Sequence, residues 1–324
     1  MFDVVALGEF LIDFTPAGTS EAGNILFERN PGGAPANVLA AVTKLGGTGA
    51  LIGKVGCDQF GFFLRDVLEK YGIDGRGLCF SHDVNTTLAF VQLDEHGDRS
   101  FSFYRKPGAD TTLAREDLDF GLIDSAKIFH FGSLSMTDEP ARSATRTALE
   151  YARKKGKVIT YDPNWRPALW ADDEQAKENM LFGLQYADVL KVSEEELMFL
   201  TGSDDIEKGS KQFLERGVKT IVVTLGAKGC YYRCAKGSGL LSTYDTKVID
   251  TTGSGDCFFG AMICQLSRYK GALEEISPEA LAKMADFANA AGALCATQKG
   301  ALPAMPTEEE VYRCMSSTSL LKLS

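Results

Sequence analysis

Asp250-Thr251-Thr252-Gly253-Ser254-Gly255-Asp256 follows an apolar–polar run over 242–249 that reads as a strand. It precedes Cys257-Phe258-Phe259-Gly260-Ala261-Met262-Ile263-Cys264, apolar on every face, which reads as the start of a buried helix. A turn of small residues feeding a helix leaves several backbone N–H groups unpaired and pointing one way. With the helix dipole behind them these donors form an anion site, and the missing side chains let a phosphate approach closely. Asp256 sets a carboxylate at the edge of that site, where it would repel a bound phosphate. The placement makes chemical sense if the acid takes a proton from a hydroxyl that attacks the phosphate. Asp is also a favoured helix cap.

Outward from this turn, strand-like and helix-like segments alternate. Val4-Val5-Ala6-Leu7-Gly8 reads as a strand; a helix over 34–45, a strand over 49–55 and a helix over 60–71 ending at Gly72 follow. Strand–helix pairs continue at 126–131 and 139–155, 158–162 and 174–185, and 189–192 and 194–201; a helix over 206–216 leads to a strand over 220–225. This alternation predicts a mostly parallel sheet with helices on both faces, a three-layer α/β/α fold whose ligands bind outside the carboxyl ends of the strands. Two stretches break the rhythm. Residues 9–31 carry Gly18, Gly23 and Pro31 between short extended runs, and 84–106 reads as two alternating runs joined at Glu95-His96-Gly97-Asp98, a hairpin pattern. Together they are expected to form a small β-sheet lid inserted into one domain over 1–316 and covering its active face. Residues 317–324 are expected to be a disordered tail.

The 324 residues allow one large α/β domain or two smaller ones. A formal net charge of -10 with no lysine- or arginine-rich stretch argues against nucleic acid as a partner. The eight cysteines are scattered without a C-x-x-C pair, and His82, His96 and His130 lack zinc-site spacing, so reduced cysteines in a cytoplasmic protein are expected. No basic-flanked apolar leader is visible, and no apolar run approaches the ~18 residues of a membrane span.

Three further motifs end strand-like segments or open helices. In Gly32-Gly33-Ala34-Pro35-Ala36-Asn37 the glycine pair permits close backbone approach to a ligand, Pro35 suits a first helical turn, and Asn37 offers a donor and an acceptor to a polyhydroxy ligand. Asp13, just past the first strand, could accept from sugar hydroxyls or be a solvated turn residue. Thr224-Leu225-Gly226-Ala227-Lys228-Gly229 could pass beneath a nucleotide or form a tight strand-to-strand turn. In Asp162-Pro163-Asn164-Trp165-Arg166-Pro167, Arg166 offers a planar fork that matches phosphate or carboxylate.

Taken together, these motifs make nearly the whole chain resemble the ribokinase-like, or phosphofructokinase-B, family of carbohydrate kinases. The resemblance implies that Asp256 is the catalytic base and that the backbone at Gly253, Ser254 and Gly255 forms an anion hole for the transferred phosphoryl group. It implies that Asp13, Gly32, Gly33 and Asn37 hold the sugar, with Arg105 and Arg166 as sugar or phosphate contacts. Lys191, Thr224, Gly226, Gly229 and Asn289 fall to the nucleotide site. Glu196 is implied as a magnesium residue acting through water, as Mg²⁺ prefers. Asp250, Thr252 and Gly300 are implied at a monovalent-cation site that would take K⁺. One departure stands out: the family's N-x-x-E motif reads Ser193-Glu194-Glu195-Glu196 here, which leaves Ser193 without an implied role.

The implied reaction is in-line transfer of the ATP γ-phosphoryl group to a sugar hydroxymethyl oxygen, which demands positioning and charge neutralisation. Each well-placed donor is worth on the order of 3 kcal/mol. The Tyr104-Arg105 segment and Asp162-Pro163-Asn164-Trp165-Arg166 look most like fructokinase. 2-Keto-3-deoxygluconate kinase is the alternative, since arginines could meet a carboxylate, and ribokinase follows. A non-catalytic sugar- or nucleotide-binding regulator is the reading from another class, and a homodimer through an open lid edge is expected. A dinucleotide-binding reading fails because no G-x-G-x-x-G follows the first strand, and a P-loop around Gly53-Lys54 lacks its first glycine and its Ser or Thr.

Overall fold

A computed structural model describes residues 1–93 and 99–322; the expected hairpin turn Glu95-His96-Gly97-Asp98 lies outside the described residues. In chain order the strands are β1 (Phe2–Leu7), β2 (Leu11–Thr19), β3 (Ile25–Gly32), β4 (Gly49–Gly56), β5 (Ile73–Ser81), β6 (Leu88–Leu93), β7 (Arg99–Tyr104), β8 (Ala126–Gly132), β9 (Val158–Asp162), β10 (Val189–Ser193), β11 (Thr220–Thr224), β12 (Cys230–Cys234) and β13 (Gly237–Leu241). The helices are α1 (Ala34–Lys44), α2 (Gln59–Lys70), α3 (Phe120–Asp124), α4 (Ala141–Lys154), α5 (Asp173–Leu184), α6 (Glu194–Thr201), α7 (Ile206–Glu215), α8 (Ser254–Arg268), α9 (Pro278–Cys295) and α10 (Glu308–Ser317).

A nine-stranded sheet, ordered β13-β12-β11-β10-β9-β8-β1-β4-β5, runs parallel from β11 to β5 and closes with the antiparallel pair β12 and β13. Alternation along β1 shows why it is buried on both faces. Val4 and Ala6 join the core under α1, α2, α8, α9 and α10, whereas Val5 and Leu7 join the core under α3 to α7. Fully buried parallel strands read as near-continuous apolar runs, which is how β1, β10 and β11 betray themselves. Strand β5 is hidden in the sequence by Gly75 and Gly77, and the β12–β13 hairpin breaks the strand–helix rhythm.

Two expectations need correction. The run 242–249 is not a strand: Tyr244 makes only an isolated bridge to Leu320, and Ile249 and Asp250 donate their N–H groups to the Ala296 carbonyl at the end of α9. Asp245, Thr246 and Lys247 interrupt its apolar pattern, and Thr246 Oγ1 donates to Ala293 O at 3.1 Å, so a helix end takes the bonds a sheet would have taken. Where an unordered tail was expected from 317, Ser319 and Leu321 exchange backbone hydrogen bonds of 2.8 Å with Asp245 and Thr243. The faint P-loop is a strand: Lys54 lies in β4 and pairs with Asp117 at 2.8 Å.

The second sheet has four strands, ordered β3-β2-β6-β7, from the two segments that break the rhythm. Its outer face carries an aromatic cluster, with Phe90 stacked on Phe14 at 4.9 Å and meeting Phe27 and Tyr104 edge-on at 5.6 and 5.5 Å. Ile25, Leu26, Phe27 and Tyr104 remain exposed. Among the described residues no helix is long and apolar enough to cross a membrane.

Candidate active site

The order of the large sheet reverses at β1, which lies between β4 and β8, and ligands of such sheets bind outside the strand carboxyl ends at that crossing. The site forms there, from the start of α8 on one side and from α1, β2 and the β9 and β10 ends on the others. Gly253 caps α8 in the left-handed region (φ 76°) and no side chain caps the helix; the Ser254 N–H, expected in the anion hole, is given instead to the Thr251 carbonyl at 3.1 Å, and the N–H groups on either side of it are left for a ligand. A Cβ on Gly253 would lie 2.6 Å from the Ala301 Cβ, so only glycine fits. The Ser254 hydroxyl in this first turn is buried and has no partner.

Helices α1 and α8 touch through Gly260, where a Cβ would lie 2.6 Å from the Ala41 Cβ and 2.7 Å from the Val38 carbonyl. Four residues earlier on each helix this close packing brings Asn37 to Asp256, and Asn37 Nδ2 donates to Asp256 Oδ2 at 2.7 Å. Burial, then the charge of Asp162, push the Asp256 carboxyl up to about 6, against the pull of Asn37, Lys191 and Arg166.

The glycine pair works as two separate clearances. A Cβ on Gly32 would run into the Asp13 carboxylate, and one on Gly33, at φ 118°, would run into the Glu9 carbonyl. Asp13 in β2 is pushed up to about 6 by burial; Arg166 pulls it down, and the neighbouring Asp256 charge pushes it up less strongly. The sequence reading missed Glu9. It is buried just past β1, its Oε1 accepts from the Ala34 N–H at 3.0 Å, and burial raises it to about 7. The available signal was an acid directly after a buried strand, opposite an uncapped helix start.

Across the cavity, Lys191 of β10 donates to Asp162 Oδ2 at 2.8 Å with both side chains buried. Burial alone would lower Lys191, but Asp162 and Glu196 hold it above its ordinary value. The loop between β9 and α5 carries Asn164 in the left-handed region (φ 47°), Trp165 against Phe199 with ring centres 4.0 Å apart, and an exposed Arg166. Glu196 anchors this loop: Oε1 accepts from the Trp165 N–H at 2.7 Å and Oε2 from the Ser193 N–H at 2.8 Å. Ser193 returns a hydroxyl acceptor to the Glu196 N–H at 3.2 Å, a reciprocal cap that gives this serine a structural role. Arg105 is buried and its guanidinium is committed, to Asp110 at 2.7 Å, to the Leu134 carbonyl and to Thr137 at 2.8 Å each.

A cavity of about 390 Å³ brings Asp13, Gly33, Asn37, Arg105, Arg166, Lys191, Glu196, Thr252, Gly253, Gly255 and Asp256 together, joined by Glu9 and Trp165. Thr224, Gly226, Gly229 and Asn289 do not line it. Thr224 sits beside Ser193 in the β10–β11 register, one strand outward, and Gly226 and Gly229 form the turn into β12. Asn289 is buried in α9 and donates to the Ser242 carbonyl at 3.3 Å. Asp250 draws the other expected residues together by accepting from the Thr252 N–H at 2.8 Å and the Gly300 N–H at 3.0 Å. These three line a second cleft, of about 870 Å³, between β2–β3 and the loop after α9.

The chain is similar to known proteins over its whole length. It is 44% identical over 311 residues to a probable fructokinase-4 of Arabidopsis thaliana, covering 95% of each chain. The solved fructokinase of Xylella fastidiosa with bound ATP superposes with a TM-score of 0.91 at 34% identity, over 98% of this chain and 99% of that one. A double mutant of the Vibrio cholerae O395 fructokinase, solved with fructose, ADP and potassium, gives 0.87 at 34% identity over 97% and 98%. The model of the pfkB family of carbohydrate kinases matches residues 1–308, and the chain belongs to that family.

Proposed function

We propose that this protein is an ATP-dependent fructokinase, which transfers the γ-phosphoryl group of ATP to the hydroxymethyl oxygen of D-fructose to give fructose 6-phosphate. The observation that carries the reading is Asp256 at an open helix N-terminus, in one cavity with Asp13, Gly33 and Asn37. The similarity to fructokinases narrows the sugar.

Asp13, Gly33 and Asn37 hold the sugar so that its hydroxymethyl oxygen meets Asp256. The carboxylate accepts the hydroxyl proton as the oxygen attacks phosphorus, and general-base help of this kind contributes roughly 10²–10⁴-fold. The N–H groups of Gly253 and Gly255, with the helix dipole, stabilise the charge on the moving phosphoryl group, while the Ser254 N–H holds the turn through the Thr251 carbonyl. Lys191 lies beside Gly255, with its Nζ 3.3 Å from where a Cβ would stand, and adds fixed positive charge at that end. Thr224, Gly226, Gly229 and Asn289 belong to the nucleotide side.

Glu196, which lines the cavity, would stand near magnesium carried by the nucleotide phosphates and water. Magnesium supplies charge neutralisation on those phosphates. Asp250, Thr252 and Gly300 fit a monovalent cation such as K⁺ beside the anion hole.

The chain is read as one kinase domain with the four-stranded sheet as its lid, which excludes water as a competing acceptor. A second copy of this chain on the exposed face that carries Ile25, Phe27 and Tyr104 would make the homodimer. A cytoplasmic location suits eight free thiols. The test is ADP release across a panel of fructose, 2-keto-3-deoxygluconate, ribose and glucose, with fructose expected to give the highest kcat/KM. Preference for another sugar overturns the substrate, and tight sugar binding without ADP release marks a regulator.

A further inference from the structure

From the contact between α1 and α8 we infer that Asn37 is a positioning residue for the base: its Nδ2–H orients the Asp256 carboxylate, while its Oδ1 is held open to accept a hydroxyl of the same sugar. The inference rests on the fructokinase reading and assigns Asn37 a task beyond sugar contact. Asn37 is buried, and its Nδ2 lies 2.7 Å from Asp256 Oδ2. An ionised carboxylate only accepts, so the nitrogen of the amide must face it and the oxygen must face away. That oxygen is buried, has no partner, and belongs to a residue lining the cavity. A buried acceptor left unmade is costly, so the arrangement is complete only when a ligand donor arrives.

One rigid amide thus links two events. Its position is set by the helix contact at Gly260, with Ala41 and Val38 at van der Waals limits, so the amide is carried by a rigid pair of helices and not by a loop. The charged groups acting on the Asp256 carboxylate act without a hydrogen bond: Asp162 from the end of β9 raises it, and Lys191 from β10 and Arg166 from the loop after β9 lower it. Asp13 from β2 faces it as well. Asn37 alone among these fixes where its oxygens point.

The test compares the wild type with Asn37→Ala and Asn37→Asp. Alanine is a strong helix former and leaves α1 intact. The Asp256 carboxyl is titrated by ¹³C NMR in the ligand-free protein, with Asp256→Asn identifying the signal, and the pH profile of kcat/KM is taken with fructose and ATP. In Asn37→Ala the NMR midpoint and the acidic limb are expected to move up together by about one pH unit, the equivalent of one hydrogen bond to the charged form. Asn37→Asp, which sets two carboxylates in contact, is expected to move them further and to lose turnover at neutral pH. An unchanged NMR midpoint in Asn37→Ala, with only the KM for fructose raised, overturns the inference and leaves Asn37 a sugar contact. A wild type that turns over no sugar sinks the fructokinase reading, a result read separately from the NMR midpoints.

Discussion

The two walls of the cavity treat buried charge in opposite ways. Under the small sheet, Arg105 is saturated by Asp110, the Leu134 carbonyl and Thr137, and across the floor Lys191 is matched to Asp162. On the facing wall Glu9 is buried, Asp256 and Asp13 are half-buried, none has a matched cation, and the carboxyls of Asp256, Asp13 and Glu9 are raised to about 6, 6 and 7. Breaking a buried pair leaves an uncompensated charge, whereas neutralising an unmatched buried acid relieves one. The Arg105 cluster is therefore a stability device, and the facing wall holds acids under tension where chemistry requires it.

Asp256→Asn breaks the comparison hardest. It is expected to lower kcat by two to four powers of ten with little change in KM for ATP, measured by coupled ADP release. Arg105→Ala is expected to destabilise the fold by about 3–5 kcal/mol, read from the urea midpoint, because it strands Asp110. An effect on fructose KM alone would make Arg105 a ligand contact instead of a brace.

The facing wall also predicts a pH dependence with a definite sign. Between the unfolded carboxyl range near 4 and the raised values of about 6 to 7, the folded protein holds more protons than the unfolded one. Stability should therefore fall as pH rises through that window, while turnover rises through about pH 6 as Asp256 ionises. Glu9→Gln keeps an acceptor for Ala34 and should raise Tm by a few degrees at pH 8, roughly 1–3 kcal/mol, with the gain gone at pH 4. The smallest expected effect is Ser193→Ala, about 1 kcal/mol in the urea midpoint from the lost helix cap.

Much of this was legible in the sequence because local chemistry and global fold agree. The apolar runs of β1, β10 and β11 could only be buried strands, and α6 begins and ends where its cap and Gly202 dictate. The turn that opens α8 is legible because small residues before an apolar run mark a helix start, whereas the glycine pair, expected to clear a ligand, makes room for the chain's own Asp13 carboxylate and Glu9 carbonyl. What escaped depends on partners far along the chain. The run 242–249 has strand-like residues, but its backbone finds α9 first. Glu9 looks like any acid after a strand until α1 folds back and offers it the Ala34 N–H. The Asn37–Asp256 contact spans 219 residues, and its cause is a glycine one turn away in α8.

The small sheet is stitched from two distant parts of the chain, β2 lying parallel to β6, and its strand β3 ends on Gly32 itself. A designer wishing to strip this sheet cannot excise it as a single cassette. Shortening the first segment would tug on the residue that leads into α1, and removing the second would leave the parallel edge of β2 bare. Loop grafting to retune sugar choice is better aimed at the β9–α5 connection, which shares no residue with either piece.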